Sequence, residues 1–588
     1  MKKTKIVCTV GPSTKDDNIL RGMIEAGMNV ARFNFSHGTH ESHKATFDQL
    51  KRVREDMGVH VASLLDTKGP DVRLKEFAPN EQLGGRREVQ LSEGQLFTLF
   101  GDSDKDGDVN GCPITFKNLA GDVSVGTRIL LDDGLIDMEV VEISGDDVVC
   151  KIKNAAIAKS NKGVNVPGVR LSMPYMSKRD RKDIEFGIKT GFDFIAASFV
   201  STAQDILDIR RVLDIHKCTH IRIIAKIENA EGVENIKEIL EVCDGIMIAR
   251  GDMGVEIDMA KLPAIQKRLI RMCYSSGRPV ITATQMLESM IKNPRPTRAE
   301  VSDVANAVYD GTSAVMLSGE TAAGDHPVAA VQTMASIIAD AEKNTNNHSG
   351  LSRRRGESAY LSVSDAICHA ACTTCAEIGA KAILTVSKTG KTARLLSKYR
   401  PIHRICACVT DEHIARHLSL SWGVFPVLID LLPTTEELLA KSEELCRKAG
   451  YIKSGDLIIS VAGLPISGPT NMVTVHLVGE SLARGIGIGG GKIEAKVCVC
   501  ESEEDVIEKF RPGQILVIPA TSNMILPQLR EAAAVVTEEE GSSSHAAIVG
   551  LTLNKPVVVG AVGATRKLKD GMRVSVDATQ GVVHLIES

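Results

Sequence analysis

The sequence predicts an α/β protein built around a closed (β/α)8 barrel of the TIM type. Eight short apolar runs alternate mostly with segments whose apolar residues recur at i, i+3 and i+4, a spacing typical of helices. A parallel barrel buries both faces of each strand, so near-continuous apolar strands are expected. The alternation alone also allows a doubly wound open sheet. The runs span residues 4–10, 29–35, 60–66, 192–199, 221–227, 244–249, 278–284 and 313–318.

A second type of pattern interrupts the predicted barrel, which we place at 1–71 and 169–345. Residues 72–168 alternate apolar and polar side chains with period two, and Asp133-Gly134 between apolar runs indicates a hairpin. We therefore predict a small β-barrel domain inserted after the third barrel strand. At 588 residues the chain is too long for one core, and further domains are expected.

The C-terminal part is predicted to form two more domains. The first is an α/β domain at 346–479, reached through a Ser/Arg-rich connection at 348–358. The second is a mixed α/β domain at 480–588, joined by a glycine-rich hinge at 485–492. The G-x-G-x-x-G match in that hinge lacks the strand-to-helix context of a dinucleotide site. The strands of the α/β domain are expected at 382–387, 405–410, 424–429, 456–463 and 474–479.

Composition and charge narrow the class of protein. The chain is 43% hydrophobic and 24% charged, which is typical of globular proteins, and its net charge of −4 favours neither nucleic acid nor an anionic membrane as partner. Fourteen cysteines without an evident secretory signal or membrane span indicate reduced thiols and a cytoplasmic location. Cys368, Cys372 and Cys375 fall at i, i+4 and i+7, so we expect a packed helix face, not a zinc site.

Polar groups follow almost every predicted barrel strand. Because carboxyl ends of barrel strands share one rim, these side chains are expected to meet there and form an active site. Taken singly, each would be a surface pair or a turn. They are Arg32, Asn34, Ser36 and His37; Asp66, Thr67 and Lys68; Lys226, Glu228 and Asn229; Arg250, Gly251 and Asp252; Thr284 and Gln285; and Ser318, Gly319 and Glu320.

The chemical types on this rim suit phosphoryl transfer, which needs mainly positioning and charge neutralisation. Arg32 and Lys226 are cations able to hold a phosphoryl group. Glu228 and Asp252 are hard oxygen ligands suited to Mg2+. A further set of neutral oxygens with one carboxylate suits a monovalent cation, and consists of Asn34, Ser36, Asp66 and Thr67.

Six blocks of sequence resemble signatures of the pyruvate kinase family, and the resemblance runs from about residue 1 to 479. The resemblance implies transfer of the phosphoryl group of phosphoenolpyruvate to ADP, giving ATP and pyruvate, with Mg2+ (or Mn2+) and K+ as cofactors, in a homotetramer. The blocks are ARFNFSHG (31–38), LLDTKGPDVR (64–73), KIENAEG (226–232), ARGDMGVEI (249–257), ATQMLESMIKNPRPTRAEVSDVANAVYDG (283–311) and MLSGETAAGDHP (316–327).

The same resemblance implies a role for each rim residue. Arg32 and Lys226 would stabilise the transferring phosphoryl group, and Glu228 and Asp252 would bind Mg2+. Thr284, with the backbone at Gly251 and Asp252, would hold the substrate carboxylate. The remaining implied roles are K+ binding by Asn34, Ser36, Asp66 and Thr67; nucleotide contacts by Asn34, His37, Arg73 and Lys162; and protonation of the enolate through water by Thr284 and Ser318.

The sequence departs from the family pattern at a few positions. Asp71 stands where potassium-dependent members usually have Glu, but an acidic residue is kept and K+ activation is still expected. Phe33 and Met253 replace leucines, which changes packing. Ser201 replaces an Arg, so any contact made by that Arg is in doubt.

A turn in the second α/β domain, Ser387, Lys388, Thr389, Gly390, Lys391 and Thr392, is rich in hydroxyls, NH groups and cations and precedes a helical segment, an arrangement suited to phosphate. A P-loop is excluded because the first glycine is missing. The resemblance makes it the pocket of an allosteric phosphorylated effector, either a sugar phosphate or AMP. A purely structural turn stays open.

The tail segment 535–562 resembles the swivelling phosphohistidine domain of phosphoenolpyruvate-utilising enzymes, found as an extra domain in some bacterial pyruvate kinases. Glu540 and Ser543 depart from its motif, and no ATP-grasp partner is recognisable, so His545 is expected to be structural. Two alternatives are left: a phosphotransferase that uses His545 as phosphocarrier, and a Mg2+-enolate lyase or mutase on the same barrel.

Overall fold

The computed structural model describes residues 2–103, 105–345, 362–432, 434–463, 468–479 and 481–586. The predicted connection at 348–358 lies outside them. The chain divides into two compact units, residues 1–369 with 387–428 and residues 370–386 with 429–588. Throughout the described ranges, every helix is too short or too polar to cross a bilayer.

Three parallel strands open the barrel: β1 (Lys5–Thr9), β2 (Val30–Asn34) and β3 (Ala62–Asp66). They are joined by helices α1 (Asp17–Ala26) and α2 (His40–Asp56). Asp16 caps the start of α1 by accepting a hydrogen bond from the Asn18 backbone, and α1 ends at Gly27, whose φ of 118° favours glycine. These local signals determine where α1 begins and ends between β1 and β2.

The inserted segment is β-rich, as predicted. Its turn at 132–135 joins two antiparallel strands, and Asp132, Asp133 and Gly134 all have positive φ, which confirms the expected hairpin. The described strands form a six-stranded sheet in the order β11-β7-β8-β9-β5-β6 and a two-stranded sheet, β10-β4. One short helix, α3 (Leu119–Asp122), was not predicted. The strands are β4 (Glu88–Leu91), β5 (Leu96–Phe100), β6 (Gly111–Pro113), β7 (Arg128–Leu131), β8 (Ile136–Ser144), β9 (Asp147–Ile152), β10 (Ala156–Lys159) and β11 (Val164–Asn165).

Five more parallel strands complete the barrel, and the last pairs with β1, so the sheet closes and the open-sheet alternative is wrong. All eight predicted runs form barrel strands. The strands are β12 (Phe194–Ala197), β13 (Arg222–Ile227), β14 (Gly245–Ala249), β15 (Val280–Ala283) and β16 (Ala314–Leu317). The helices are α4 (Lys178–Thr190), α5 (Ala203–Ile215), α6 (Ala230–Glu234), α7 (Ile236–Val242), α8 (Arg250–Glu256), α9 (Leu262–Ser275), α10 (Arg298–Asp310), α11 (Gly319–Ala322) and α12 (Pro327–Lys343).

The barrel interior is filled by apolar side chains. Leu64, Ile224, Met247 and Ile281 are fully buried there. A second, larger core lies between the strands and the surrounding helices. The interior is therefore a packed core, and chemistry is confined to the rim. Short 3-10 segments occur at Pro12–Thr14, Glu81–Leu83, Met259–Lys261, Glu288–Ile291 and Asn523–Ile525.

All five strands predicted after the barrel are present. In the first unit β18 pairs in parallel with β19; in the second, β17 pairs in parallel with β20 and β20 antiparallel with β21. The elements are α13 (Val363–Glu377), β17 (Ala382–Val386), α14 (Lys391–Lys398), β18 (Arg404–Val409), α15 (Glu412–Leu418), β19 (Val424–Leu428), α16 (Thr435–Lys448), β20 (Leu457–Gly463) and β21 (Thr470–Leu477).

The cysteines confirm the packing interpretation. Cys368, Cys372 and Cys375 lie on α13 and are buried. All fourteen cysteines are buried thiols that form no disulfide. Within the described residues, no group of three or more His, Cys, Asp or Glu side chains is arranged to hold a metal ion.

A polar cluster lies at the amino-terminal end of the barrel, where α15 contacts the start of β12. Asp193 is fully buried and accepts hydrogen bonds from the backbone and hydroxyl of Ser63, both at 2.9 Å, and from Arg416 Nε at 2.8 Å. Arg54 Nη1 lies 3.7 Å from the same carboxylate. His417 Nε2 lies 3.2 Å from the Asp193 carbonyl oxygen.

The tail contains an eight-stranded sheet in the order β22-β29-β28-β24-β25-β26-β27-β23. The predicted hinge at 485–492 is wrong for its first half, because Ile486–Ile488 form β23 and pair with β27 inside the tail sheet. A Cβ on Gly485 would lie 2.1 Å from Val559 O, and one on Gly487 1.8 Å from Ala578 O, so these glycines permit close backbone approach. The elements are β22 (Ser481–Arg484), β23 (Ile486–Ile488), β24 (Lys492–Val499), α17 (Glu503–Lys509), β25 (Ile515–Ile518), α18 (Leu526–Glu531), β26 (Ala534–Thr537), α19 (His545–Leu553), β27 (Val557–Val559), α20 (Ala564–Lys567), β28 (Arg573–Asp577) and β29 (Val582–Leu585).

Candidate active site

Charged side chains from three barrel strands meet at the carboxyl end of the barrel. Arg32, in β2, donates from Nε to Asp66 Oδ2 at 2.6 Å and from Nη1 to Thr9 Oγ1 at 2.9 Å. Lys226, in β13, has its Nζ 3.1 Å from Asp66 Oδ1 and 3.0 Å from Glu228 Oε1. Two cations therefore share one buried carboxylate at the end of β3.

The protonation states in this cluster follow from burial and charge. Burial disfavours charged Lys226, but the carboxylates of Asp66 and Glu228 outweigh it and hold the Lys226 pKa above its ordinary value. Burial likewise opposes ionisation of Asp66, yet Arg32 and Lys226 keep the Asp66 pKa below its ordinary value. Lys226 is thus cationic at neutral pH, as stabilisation of a phosphoryl group requires.

Glu228 has an incomplete set of partners. Its Oε2 accepts a 2.6 Å hydrogen bond from the Phe199 backbone, whereas among the described residues its buried Oε1 has no partner with hydrogen-bond geometry, despite the nearby Lys226. Burial raises the pKa of Glu228 to about 7, with the carboxylate of Asp252 adding to the shift and Lys226 opposing it. A buried oxygen that is ion-paired with Lys226 but accepts no hydrogen bond among the described residues, next to a second carboxylate, fits a divalent cation.

The turn after β15 brings Thr284 against the start of α8. Thr284 and Gln285 have φ of 65° and 53°, an uncommon conformation for residues other than glycine. Thr284 Oγ1 accepts from the Gly251 backbone at 2.9 Å and donates to Ala283 O at 2.6 Å. The structure therefore brings together the two positions that the resemblance links to a substrate carboxylate.

Arg250 was predicted among the reactive rim groups, but it braces this turn. Its guanidinium donates to Ala283 O at 3.2 Å and to Thr284 O at 2.6 Å, and it pairs with Asp303 at 2.7 Å. These contacts hold the backbone of the Thr284 turn in place.

Ser318 and Glu320 follow β16 on the same rim. Glu320 accepts from the Ser318 backbone at 2.7 Å and from the Leu287 backbone at 3.2 Å, so it ties two rim loops together. In the described residues no hydrogen bond joins the Ser318 hydroxyl to Thr284. Any proton relay between them would need an intervening group such as water.

The oxygens predicted to hold a monovalent cation come from neighbouring strands. Asn34 and Asp66 are register partners across β2 and β3, and Asn34 Oδ1 accepts from the Ser36 backbone at 3.1 Å. Thr67 directly follows Asp66 and is buried. The set thus combines amide, hydroxyl and carboxylate oxygens at one end of two adjacent strands.

A cleft of about 770 Å3 separates the inserted sheet from the rim, and both Arg73 and Lys162 line it together with Asp252. Arg73 pairs with Asp71 and donates to Asn161 O at 2.9 Å. Lys162 Nζ lies 2.7 Å from Asp132. His37 is exposed and lies outside the set of residues that line this cleft.

Asp71, the acidic residue that departs from the family pattern, contacts two cations. In addition to Arg73, it pairs with Lys68 Nζ at 2.9 Å. Its carboxylate therefore orients the basic side chains at the entrance of the inserted segment. At the other noted departure, Ser201 accepts from Asn229 Nδ2 at 2.9 Å, so it supports the loop after β13.

Sequence reasoning missed Ser198 and Phe199, which follow β12. Ser198 Oγ accepts from Lys226 Nζ at 2.7 Å, and the Phe199 backbone holds Glu228. In the sequence, the run that contains them resembles the end of a core strand, and the only feature that points to the site is a serine at the rim. The contacts of Ser198 and Phe199 form only in the folded protein, so residue spacing could not reveal them.

The predicted effector turn precedes α14. Gly390 has φ of 70° at the N-cap, Lys391 donates from its backbone to Thr389 Oγ1 at 3.4 Å, and Arg394 donates to Thr389 O at 3.1 Å. Ser387 is buried and donates from its backbone to Cys408 O. Arg394 adds a cation that the sequence did not single out.

In the tail, His545 begins α19 and both ring nitrogens have side-chain neighbours. Nδ1 lies 2.9 Å from Thr521 Oγ1 and Nε2 lies 3.1 Å from Asn523 Oδ1. Ser544 caps the helix by accepting from the Ala547 backbone.

Fold and site together define a phosphotransferase: buried cations and metal-type carboxylates meet on the rim of a parallel barrel, beside a cleft lined by further cations. Three family models match the chain, namely pyruvate kinase, barrel domain (1–331), pyruvate kinase, alpha/beta domain (365–476) and PEP-utilising enzyme, mobile domain (510–581). The chain belongs to the pyruvate kinase family, and its reaction is phosphoryl transfer from phosphoenolpyruvate to ADP.

Individual relatives agree over the full length. The chain is 46% identical to a pyruvate kinase of Geobacillus stearothermophilus, over 99% of this chain and 98% of that protein. It is 44% identical to that of Bacillus licheniformis, over 99% of both. A crystal structure of a pyruvate kinase from Cryptosporidium parvum matches with a TM-score of 0.77 and 37% identity, covering 81% of this chain and 96% of that one. These matches do not favour the phosphocarrier or the lyase alternative.

Proposed function

We propose that the cluster of Arg32, Asp66, Lys226 and Glu228 is the centre at which the phosphoryl group is transferred. The observation that carries the proposal is the pair of buried cations held by a single carboxylate. Both donors are pre-positioned, so they neutralise charge on the transferring group without reorganising. Arg32 offers a planar fork and Lys226 a compact charge, which suits a group with several oxygens.

Glu228 and Asp252 are proposed to hold Mg2+ or Mn2+. The assignment is supported by Glu228 Oε1, which is buried and, among the described residues, accepts no hydrogen bond. When bound, the cation would supply charge neutralisation for phosphate and enolate oxygens. Phe199 holds the other oxygen of Glu228 and so orients the carboxylate.

We assign K+ to Asn34, Ser36, Asp66 and Thr67, supported by the register of β2 and β3. The substrate carboxylate is assigned to Thr284 and the backbone at Gly251 and Asp252 in the first turn of α8, where binding would exchange the Gly251 N–H bond to Thr284 Oγ1 for a carboxylate oxygen. Thr284 and Ser318 are the candidates to deliver a proton to the enolate through water.

The nucleotide is proposed to occupy the cleft beside the inserted sheet, with Arg73 and Lys162 contacting its phosphates. Both cations are paired with aspartates, Asp71 and Asp132, so binding would exchange these partners for phosphate oxygens. Asn34 and His37 are proposed to contact the rest of the nucleotide from the rim.

Regulation, assembly and location are proposals as well. The turn from Ser387 to Thr392, with Lys388, Thr389, Gly390 and Lys391, is proposed to bind the phosphate of an allosteric effector, a sugar phosphate or AMP, and its geometry at the start of α14 supports this. For the assembly, we infer that the chain forms a homotetramer, as is usual in the family. Fourteen thiols that form no disulfide support a cytoplasmic location. The tail, including His545, is proposed to be structural.

Metal binding tests the site independently of activity. In Glu228→Gln, Mn2+ affinity measured by electron paramagnetic resonance should fall by at least about tenfold, while Glu238→Gln, an exposed change on α7, should bind Mn2+ like the parent. Equal Mn2+ affinity in Glu228→Gln would refute the assignment. Pyruvate formation with ADP, with and without K+ and with sugar phosphates or AMP, tests the remaining cofactor and effector assignments.

A further inference from the structure

We propose that Ser198 is a positioning residue that sets the Lys226 ammonium group and couples it to the K+ ligands Asp66 and Thr67. The inference rests on the proposed function of these residues and extends it to a side chain that no motif singled out. Ser198 is 1% exposed and follows β12 directly.

Ser198 completes the coordination of Lys226. An ammonium group has three N–H donors. Its three close oxygens are Ser198 Oγ at 2.7 Å, Asp66 Oδ1 at 3.1 Å and Glu228 Oε1 at 3.0 Å. Two of these belong to carboxylates that are also proposed to bind cations. Ser198 provides the neutral oxygen. Its hydrogen bond with Lys226 can therefore persist when the carboxylates of Asp66 and Glu228 bind cations.

The Ser198 hydroxyl also links Lys226 to Thr67. A hydroxyl has one proton and two lone pairs, so accepting from Lys226 leaves one proton to donate. The nearest acceptor is Thr67 O at 2.6 Å, with Asp66 Oδ1 farther away at 3.1 Å. A cation that binds oxygens of Asp66 or Thr67 therefore acts on the same hydroxyl that orients Lys226.

The backbone around Ser198 makes this link stiff. Ser198 donates from its backbone to Thr67 Oγ1 at 3.2 Å, and Thr67 donates from its backbone to Ala196 O at 3.0 Å. A Cβ on Gly69 would lie 2.8 Å from Ser198 Cβ, so the two chain segments touch where glycine leaves room. Phe199 has φ of 55° and holds Glu228 from the adjacent peptide. The two residues thus orient both the ammonium group and the metal-type carboxylate.

The test is Ser198→Ala, with Ser63→Ala as matched control. Ser63 is also fully buried and hydrogen-bonds a buried aspartate, but at the opposite end of the barrel. In Ser198→Ala we expect kcat to fall about 10- to 100-fold, the loss typical of a misplaced catalytic group. KM for ADP should stay within about twofold of the parent, because cleft contacts are untouched. The K+ concentration for half-maximal activation should rise severalfold, and so should the K+ concentration that gives half-maximal thermal stabilisation of the enzyme.

The control separates positioning from stability. Ser63→Ala should lower thermal stability and leave kcat and the K+ response near parental values. Unchanged kcat in Ser198→Ala would overturn the positioning role, and a lower kcat with an unchanged K+ response would overturn the coupling. Ser198→Thr, which keeps the hydroxyl, should recover activity relative to Ser198→Ala. If the parent itself needed no K+, the proposed K+ site would fail, while the kcat comparison would still decide the positioning role.

Discussion

Two buried aspartates lie at opposite ends of the barrel, and each has two arginine or lysine side chains beside it; Asp193 also has His413 Nδ1 at 3.1 Å. At the base, Asp193 lies beside Arg54 and Arg416; at the mouth, Asp66 lies between Arg32 and Lys226. In both places burial would raise the aspartate pKa, but the neighbouring donors and cations outweigh it and keep the pKa below its ordinary value.

The two clusters differ in the further contacts that their basic side chains make. At the base, Arg54 donates to Val61 O and Arg416 pairs with Glu412, so these guanidinium groups are engaged within the protein. At the mouth, Lys226 is ion-paired with Glu228, whose Oε1 accepts no hydrogen bond among the described residues and whose pKa is raised to about 7. The comparison shows that similar charge groups can have all their hydrogen-bonding capacity used within the protein, as at the base, or leave capacity for a ligand, as at Glu228 Oε1.

The largest expected effect tests the mouth. Lys226→Met should lower kcat on the order of 10⁴-fold, because it removes a pre-positioned cation from the transferring phosphoryl group. Lys189→Met, an exposed change in the last turn of α4, should leave kcat unchanged. Steady-state pyruvate formation measures both. A Lys226→Met rate close to that of the parent would show that the mouth cluster is not the catalytic one.

The next effect tests the base. Asp193→Ala leaves Arg416 and Arg54 buried without their carboxylate, so the free energy of unfolding in urea should fall by about 3 to 5 kcal/mol. Below the unfolding transition, kcat should stay within a few-fold of the parent. A large loss of kcat in fully folded protein would contradict the division between a stabilising base and a catalytic mouth.

A smaller effect concerns pH at the base. Burial lowers the pKa of His417 to about 4, with Asp193 opposing the shift and Arg222 and Arg394 adding to it. Unfolded histidine takes up a proton near pH 6.5, whereas folded His417 does not until about pH 4. Above pH 6.5 His417 is neutral in both the folded and the unfolded protein, so it does not affect stability. Between pH 6.5 and 4 only the unfolded protein binds the proton, so the free energy of unfolding falls by about 3 kcal/mol as the pH is lowered through this range.

His417→Gln should flatten this decline, because glutamine can donate to Asp193 O and does not titrate. The exposed His216→Gln is the control and should keep the parental slope. Urea unfolding at several pH values measures the slope. An unchanged slope in His417→Gln would place the titrating group elsewhere.

The smallest expected effect is the stability contribution of an exposed ion pair, which serves as a reference for the two buried clusters. Lys44 and Asp48 form an i,i+4 pair on α2 with side chains 50% and 51% exposed. Lys44→Ala should change the free energy of unfolding by no more than about 0.5 kcal/mol, because exposed pairs are screened and costly in side-chain entropy. A loss comparable to that of Asp193→Ala would mean that burial does not explain the difference.

The sequence predicted the barrel well because its strands are buried on both faces and read as continuous apolar runs. It placed Arg32, Asp66 and Lys226 on one rim because parallel strands share a carboxyl end. The sequence did not predict features that depend on contacts between residues far apart in the chain. Gly487 suggested flexibility, but it is required by the close approach of Ala578 O. The contacts of Ser198 arise only when β3, β12 and β13 are side by side.

The fourteen buried thiols can report where and when the folded protein opens, because each becomes accessible to reagents only when its surroundings unfold. Burial raises the pKa of Cys112 and Cys150 in the inserted sheet, and of Cys368 in α13, to about 12, so at neutral pH these sulfurs are both enclosed and protonated. An alkylating reagent can modify them only after local or global opening. Since such cysteines occur in the barrel, the insert and the tail, mapping of alkylated peptides over time would show the order in which these regions come apart.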